Sequence, residues 1–489
     1  MVALLRFDPA FDKAVSYRDS GRDEIVVMRG GIVVFGESVF PVCMKGEAYP
    51  FTRHILIYSD CAGDGGLIVH SGNSILIFRF FQQEFAAIAP VGILCYNRFA
   101  MKKVYLDNNA TTRMREEVLE AMLPYQKDLY GNASSVHEFG RTARRAIDDA
   151  RVKVADLLGA ASPEEVIFTS GGTESDNFAV RGVCHALKAK GNRIITSAIE
   201  HQAVLNTCKF FEKEGLGITY LKVDRDGIVD VGELKKAITD KTILITIMYA
   251  NNEVGTISPI EEIAGIAKEK GVYFHTDAVQ AAGKVPFAVK NLNIDLLSIS
   301  GHKIHGPKGI GALYIRKGTK ITPQMYGGHH EMGKRAGTEN VAGIVGLGRA
   351  AELAKKEAAE DAVKLKNLRD YLHKGITAGI EAARLNGHPE RRLPNTLNVG
   401  FKYLEGESIV LNLDMEGVAV STGSACTSGS LEPSHVLTAM GVDPADTQGS
   451  IRFSLSRYNT REDMDYVLDV LPPIIKRLRA MSPLYEKKS

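Results

Sequence analysis

The heptad Leu297-Ser298-Ile299-Ser300-Gly301-His302-Lys303 begins as a short apolar strand, breaks at Gly301, and brings His302 and Lys303 to one point. Gly306-Pro307-Lys308-Gly309-Ile310-Gly311 follows at once, and its glycines and proline favour a tight turn over a helix. A lysine at the end of a buried strand can lose its proton and attack a carbonyl to form a Schiff base. A lone lysine in a loop is more often a solvated surface group. Lys303 has company. Ser170-Gly171-Gly172-Thr173 reads as a turn into a helix, whose free N–H groups and hydroxyl suit a phosphate; it also reads as a plain turn with an N-cap. Ser300 and His302 could add donors to that phosphate. Asp277 closes another apolar strand, a place for a structural cap or for a carboxylate that keeps a ring nitrogen protonated. His201, past a third strand, is either a surface histidine or an aromatic group that stacks on a ring and moves protons near neutrality.

The elements that must position these residues alternate between helix and strand from residue 101 onward, which predicts an α/β fold with a parallel sheet. Residues 141–158 have the period of an amphipathic helix. Strands are predicted over 165–170, 193–197, 242–249 and 272–276, with a helix opening near Glu174. Polar residues stand just past the carboxyl end of each strand: Gly172 and Thr173, Glu200 and His201, Asn251-Asn252-Glu253, Asp277, and then Lys303 after its own strand. Open α/β sheets bind ligands at that edge. A phosphate cradle, an acid partner for a ring nitrogen and an aldehyde-binding lysine together describe pyridoxal phosphate, whose electron-sink chemistry needs that acid. After residue 340 the pattern changes to a long helix over 341–378 with Lys/Glu-rich faces. A strand near 397–401, a helix near 406–416, a Gly/Ser-rich loop and a closing helix near 461–481 follow, as expected of a second, smaller domain.

The chain has 489 residues, enough for two or three domains, and a formal net charge of +2 that predicts no attraction to nucleic acid or membrane. Its six cysteines, at 43, 61, 95, 184, 208 and 426, have no C-x-x-C spacing, which speaks against a disulfide framework or structural zinc and for a reducing cytoplasm. No secretory signal or run of about 20 apolar residues is present. Residues 1–100 differ in character. Apolar runs at 25–28, 31–35, 54–58 and 74–81 suggest strands, but no site. They form either a β-rich extension or upstream sequence read in frame, and the second reading is favoured because the chemistry needs nothing before Met101.

In their spacing, Asp277-Ala-Val-Gln280, Ser298-Ile-Ser-Gly-His-Lys303 and Gly306-Pro-Lys-Gly309 resemble the class V branch of the fold-type I pyridoxal-phosphate enzymes. Tyr105-Leu-Asp-Asn-Asn-Ala-Thr-Thr112, Phe168-Thr-Ser-Gly-Gly-Thr-Glu-Ser175 and Asn251-Asn-Glu-Val-Gly255 resemble the cysteine desulfurases of the NifS/IscS type, and the likeness runs from Met101 almost to Ser489. It implies a large domain over 117–357 with a mainly parallel seven-stranded sheet. A smaller α+β domain would be built from 101–116 and 358–489.

The loop Ser421-Thr-Gly-Ser-Ala-Cys426-Thr-Ser-Gly-Ser-Leu-Glu-Pro-Ser434 carries one cysteine among small residues. A single cysteine is commonly buried and inert, but here no apolar sequence neighbours help to bury it. The loop resembles the long active loop of the group I desulfurases, which implies that Cys426 takes the substrate sulfur as a persulfide and hands it to an iron–sulfur scaffold or other acceptor, with cluster ligation by Cys426 a further use. The resemblance implies that Lys303 holds the cofactor and moves the Cα proton of L-cysteine, and that His201 stacks on the ring and helps deprotonate the thiol. Asp277 would pair with the ring nitrogen, with Gln280 and Asn252 near the ring hydroxyl. Gly172, Thr173, Ser300 and His302 would bind phosphate, with Thr338 crossing from the second subunit of a homodimer. Arg452 would grip the substrate carboxylate, assisted by Asn132; read alone, Arg452 could equally be a domain-interface ion pair. One departure stands out: Gly327-Gly328-His329-His330 replaces an expected run of three glycines. With Glu331 the two histidines invite a metal reading, but no third ligand follows at a typical spacing, and no metal is expected.

Overall fold

A computed structural model describes residues 102–423, 433–482 and 485, and within residues 1–101 the backbones of eight strands. It divides into two compact units, Met1–Lys102 and Lys103–Ser489, so the change of pattern read at Met101 lies beside a structural boundary. In the first unit, Val15–Arg18, Glu24–Met28, Ile32–Phe35 and Ser38–Pro41 form one antiparallel meander. Ile57–Ser59, Gly66–Ser71, Ser74–Arg79 and Tyr96–Asn97 form another.

The second unit is built on a seven-stranded sheet. Its strands are β1 (Val166–Thr169), β2 (Arg193–Ser197), β3 (Gly217–Leu221), β4 (Thr242–Thr246), β5 (Tyr273–Asp277), β6 (Leu296–Ser300) and β7 (Gly311–Ile315), in the spatial order β1-β7-β6-β5-β4-β2-β3. Only β7 runs antiparallel to its neighbours. Helices cover both faces, so the central strands read as nearly unbroken apolar runs. Within each strand successive side chains still part: Ile167, Ile194, Leu296 and Leu313 enter the core beneath α3 (Gly172–Ala186) and α4 (Gln202–Lys213). Phe168, Ile195, Leu297 and Tyr314 enter the larger core. That core is roofed by α2 (Glu138–Leu158), α5 (Ile260–Lys270) and the first half of α6 (Val341–Gly379), with α1 (Glu116–Lys127) alongside.

Another core gathers Val104 and Leu106 with Leu365, Leu368, Leu372 and Ile376 from the second half of α6. It also holds apolar residues of an antiparallel sheet of Ala383–Asn386, Thr396–Phe401 and Ser450–Ser454, and of α7 (Gly406–Met415) and α9 (Arg461–Met481). A short helix, α8 (His435–Ala439), follows the Gly/Ser-rich loop.

Element types agree with the sequence reading and the closing helix matches it end for end, but the strand bounded by 242 and 249 is shorter. After Thr246 the chain leaves the ladder toward the ligand edge. Ile247 and Met248 stay buried, and the N–H groups of Ile247 and Tyr249 donate to His275 and Asp277 carbonyls at 3.2 and 2.8 Å. Burial keeps the run apolar beyond the strand, and hydrophobicity alone cannot show where the ladder stops.

Candidate active site

The carboxyl ends of β1, β2, β4, β5 and β6 open on one cavity of about 370 Å³. Gly172, Thr173, His201, Asn252, Asp277, Gln280, Ser300, His302, Lys303 and Arg452 all line it. Asn132 and Thr338 do not; both are exposed. Cys426 lies outside the described residues, but Gly423, just before its loop, is part of the wall.

At the floor, Lys303 follows β6 in a single 3-10 turn, and its Nζ donates to the carbonyl oxygens of Asn109 and, at 2.9 Å, Ala110. Asn109 is 1 % exposed and rigidly held. Its side-chain amide donates to Thr396 Oγ1 at 2.9 Å and to the Asn252 carbonyl at 3.1 Å, while its Oδ1 accepts from Asn395 Nδ2 at 3.0 Å. Asn109 and Ala110 belong to the 105–112 motif, whose residue types alone assign it no role. Reception by a backbone carbonyl has no residue-type signature.

The N-terminus of α3 faces Ser300. A Cβ at Gly172 would stand 2.8 Å from Val279 Cγ2, so only a glycine lets the helix end come this close to β5 and β6. Burial, with Lys303, Lys308 and Lys284 adding like charge, pushes His302 down to about 4, and the ring is therefore neutral. One of its nitrogens, Nδ1, lies 3.1 Å from Thr111 Oγ1. Beside it, Glu174 accepts from Arg335 Nε at 2.8 Å and from the Ser170 N–H at 2.6 Å, tying the segment that carries Thr338 to the helix end.

Asp277 is 6 % exposed and closes β5. Burial raises its carboxyl above the ordinary range, against the opposing pull of His201, the Val279 N–H (2.9 Å) and Lys303. Two more carboxyl groups sit beneath it, Glu200, noted in the sequence only as a strand-end residue, and Asp176, which has no signal there. Asp176 and Glu200 each have one buried oxygen without a hydrogen-bond partner, and burial raises both, Glu200 to about 8. A cationic ring bound in this cavity would offset the cost of ionising the nearest of these buried carboxyls.

His201 caps α4: its Nδ1 accepts from the Ala203 N–H at 3.1 Å. In the neutral ring that assigns the proton to Nε2. Arg452 lines the cavity and forms an ion pair with Asp107, whose neighbour Leu106 packs in the same smaller core as Ile451 and Phe453, so this ion pair does not cross between the two cores. The residue is 2 % exposed, and its guanidinium donates to Asp107 Oδ1 at 2.7 Å and to the Asn252 carbonyl at 3.0 Å. Any carboxylate bound at Arg452 would have to share or displace Asp107.

Glu253 lies beside both described ends of the 424–432 segment and bonds one of them. Ser434 Oγ donates to its Oε2 at 2.6 Å, and a Cβ at Gly423 would lie 3.3 Å from the same atom. The two described cysteines, Cys184 and Cys208, are buried, and burial raises both thiols, Cys184 to about 12. Glu331 is occupied by the Arg151 guanidinium in two bonds of 2.7 Å and by the Phe168 N–H at 2.8 Å. Among the described residues no three His, Cys, Asp or Glu side chains converge as metal ligands.

The donor set thus suits a phosphorylated aldehyde on a protonatable aromatic ring. The sequence matches the class-V aminotransferase family over residues 104–467. The chain is 58% identical over 382 residues to cysteine desulfurase IscS of Dictyoglomus turgidum, covering 78% of this chain and 97% of that one. It is also 58% identical over 387 residues to cysteine desulfurase IscS of Methanosarcina thermophila, covering 79% and 95%. Among solved structures, a NifS-like protein shares 43% identity at a TM-score of 0.73, over 77% of this chain and 100% of its own. SspA in complex with cysteine shares 38% at 0.65, over 73% and 100%.

Proposed function

The chain belongs to the class-V aminotransferase family and within it to the cysteine desulfurases of the NifS/IscS type, enzymes that convert L-cysteine to L-alanine and supply the sulfur for iron–sulfur clusters; from that premise we propose which residues act. The observation that carries the assignment is the convergence of Lys303, Asp277, Thr173, His201 and Arg452 on one cavity.

Pyridoxal phosphate fits this cavity: the α3 N-terminus with Thr173, Ser300 and His302 for its phosphate, Asp277 for its ring nitrogen, Gln280 and Asn252 for its ring oxygen, and Lys303 for its aldehyde. Bound there, it supplies a sink for the electrons released at the substrate Cα. Lys303, its amine already aimed by two carbonyls, moves the Cα proton. Arg452 binds the substrate carboxylate, with Asn132 assisting. His201 offers Nε2–H, so it acts first as a hydrogen-bond donor to the substrate sulfur. To accept the thiol proton it must give up its cap on Ala203, a refinement of its expected role as a base.

Cys426, as a thiolate, attacks the substrate sulfur. An S–S bond forms, the Cβ–S bond breaks, and the electron pair left on carbon is protonated to give alanine. Three residues of chain span at most about 11 Å, so a loop starting from Gly423 at the cavity wall keeps Cys426 within range. An acceptor thiol or scaffold then collects the outer sulfur. We further propose a homodimer in which Thr338 reaches the partner's phosphate, a division into 101–116 with 358–489 and 117–357, and a cytoplasmic setting. Among the described residues no helix is long and apolar enough to cross a membrane.

The test is alanine formation from L-cysteine by the purified protein with pyridoxal phosphate and a thiol reductant, beside Cys426→Ser. Alanine and sulfide from the wild type, lost in the variant, are expected. Full activity in Cys426→Ser removes Cys426 as sulfur carrier; no alanine from either protein removes L-cysteine as substrate.

A further inference from the structure

We propose that Lys284 is a positioning residue of the cofactor cavity, fixing the side-chain amide of Gln280 so that it presents N–H to the cavity and braces the Asn109 carbonyl that receives Lys303. The inference rests on the cofactor reading above and deepens it.

The geometry is a chain of three bonds. Lys284 Nζ donates to Gln280 Oε1 at 2.7 Å, Gln280 Nε2 donates to the Asn109 carbonyl at 3.0 Å, and that carbonyl also accepts from Lys303 Nζ. Gln280 is 4 % exposed and lines the large cavity, whereas Lys284 is not part of that wall. Lys284 instead borders a separate cavity of about 50 Å³ behind it. It therefore acts on the site through Gln280 and not on a ligand.

The local fold aims it there. After β5 the chain turns through residues 278–284, with the Lys284 N–H donating to the Ala281 carbonyl at 3.0 Å. Gly283 adopts a left-handed conformation (φ +69°), and a Cβ there would come within 3.0 Å of Ala354 Cβ and 3.3 Å of Ile304 Cγ2. The glycine seats the turn against α6 and β6's following loop, and Lys284 points back toward Gln280.

Packing alone does not explain a lysine in this place. Burial, with Lys303 and Arg452 adding like charge, pushes its ammonium down to about 7. An apolar side chain would fill the same space without that penalty. What lysine adds is a donor in either protonation state, since both –NH₂ and –NH₃⁺ carry N–H. The amide of glutamine is nearly symmetric in shape, and only its partners decide which end faces which way. With Oε1 held by Lys284, the group left for the cavity is the second hydrogen of Nε2. Gln280 then accommodates an acceptor, such as the ionised ring oxygen of pyridoxal phosphate, and disfavours a hydroxyl donor.

The experiment titrates pyridoxal phosphate into four full-length proteins: wild type, Lys284→Met, Gln280→Ala and the double variant. It reads the apparent dissociation constant and the ratio of the bound cofactor's two absorbance bands at one fixed pH. Circular dichroism confirms folding, and Lys284→Ala replaces Lys284→Met if the latter does not fold. Lys284→Met should weaken cofactor binding roughly 3- to 10-fold, the range for one neutral hydrogen bond, and shift the band ratio. In the Gln280→Ala background the same change should alter both by less than about twofold, because the residue through which it acts is gone. Lys284→Arg should restore the wild-type ratio. Equal effects in both backgrounds, or no effect beside intact Gln280, overturn the proposal. A wild type that binds no pyridoxal phosphate overturns the function reading and this inference with it, a result easily told from the other two.

Discussion

Glu200 keeps a carboxyl group where water cannot solvate it. One oxygen accepts from Ser197 Oγ at 2.5 Å and the Met248 N–H at 3.0 Å, the other has no partner, and burial raises the group from 4.5 to about 8. A carboxyl that holds its proton more tightly when folded stabilises the fold fully below its unfolded value. That contribution disappears as pH rises through the folded value. The cofactor-free protein should therefore lose stability between pH 4.5 and about 8, by at most on the order of 5 kcal/mol from this group. Glu200→Gln should flatten the decline of Tm with pH; an unchanged slope would show the carboxyl to be ionised throughout. His201 gives a second prediction at this scale. If it serves as a donor, His201→Gln should stay within about tenfold of wild-type turnover while His201→Ala falls about 100-fold or more; equal losses in both would restore a titrating base. The placement of Lys303 and Asp277 on one cavity was legible in the sequence from residue type and strand-end position, and that of Arg452 from the family resemblance. Asn109 acts through its main chain, Asp176 and Glu200 through a shared burial, and Lys284 through another side chain. None of those roles leaves a mark in residue order.

Among the elements, the crossing of α2 and α6 depends on Gly348, where a Cβ would lie 2.7 Å from Ala150 Cα and Cβ. Backbone cannot yield cheaply, so Gly348→Ala should destabilise by roughly 1–3 kcal/mol. Gly265, on the exposed side of α5 with nothing within 4 Å of its Cβ position, should behave oppositely. Gly265→Ala should stabilise by about 0.5–1 kcal/mol through the unfolded chain. Thermal unfolding of the two variants reads both signs. Glu253 accepts from Ser434 at the far end of the loop proposed to carry Cys426, so Glu253→Ala should lower alanine formation while leaving the bound cofactor's absorbance unchanged. A changed spectrum would place Glu253 in the cofactor cavity instead. Periodicity located these helices and strands because apolar spacing records which face is covered. It could not separate Gly265 from Gly348, since a glycine carries no pattern to show whether another helix lies against it.

For the whole molecule, Tyr130, Val136 and Phe139 leave an apolar surface at 73 %, 88 % and 54 % exposure. If this face is covered in a homodimer, Phe139→Glu should sediment as a monomer and, through loss of Thr338, retain the cofactor less well. A dimer unchanged by the substitution would put the interface elsewhere. A chain beginning at Met101 should fold and keep full desulfurase activity, because every described residue lining the cavity belongs to the second unit; loss of activity would give residues 1–100 a role. Within that unit, α6 supplies buried residues to the larger core up to Leu353 and to the smaller one from Leu365, with none between. At 39 residues it is about 58 Å long. Mechanically it is a beam clamped at both ends by apolar packing, whose middle turns are held by side-chain ion pairs, Glu357 with Arg115 and Arg457 and Asp361 with Arg457. Because the connection is one unbroken helix, any swing of one core against the other would have to bend it, and the bend would fall on the 354–364 turns, which no buried side chain anchors. Amide exchange should show that span as the compliant section, opening before the clamped ends on either side.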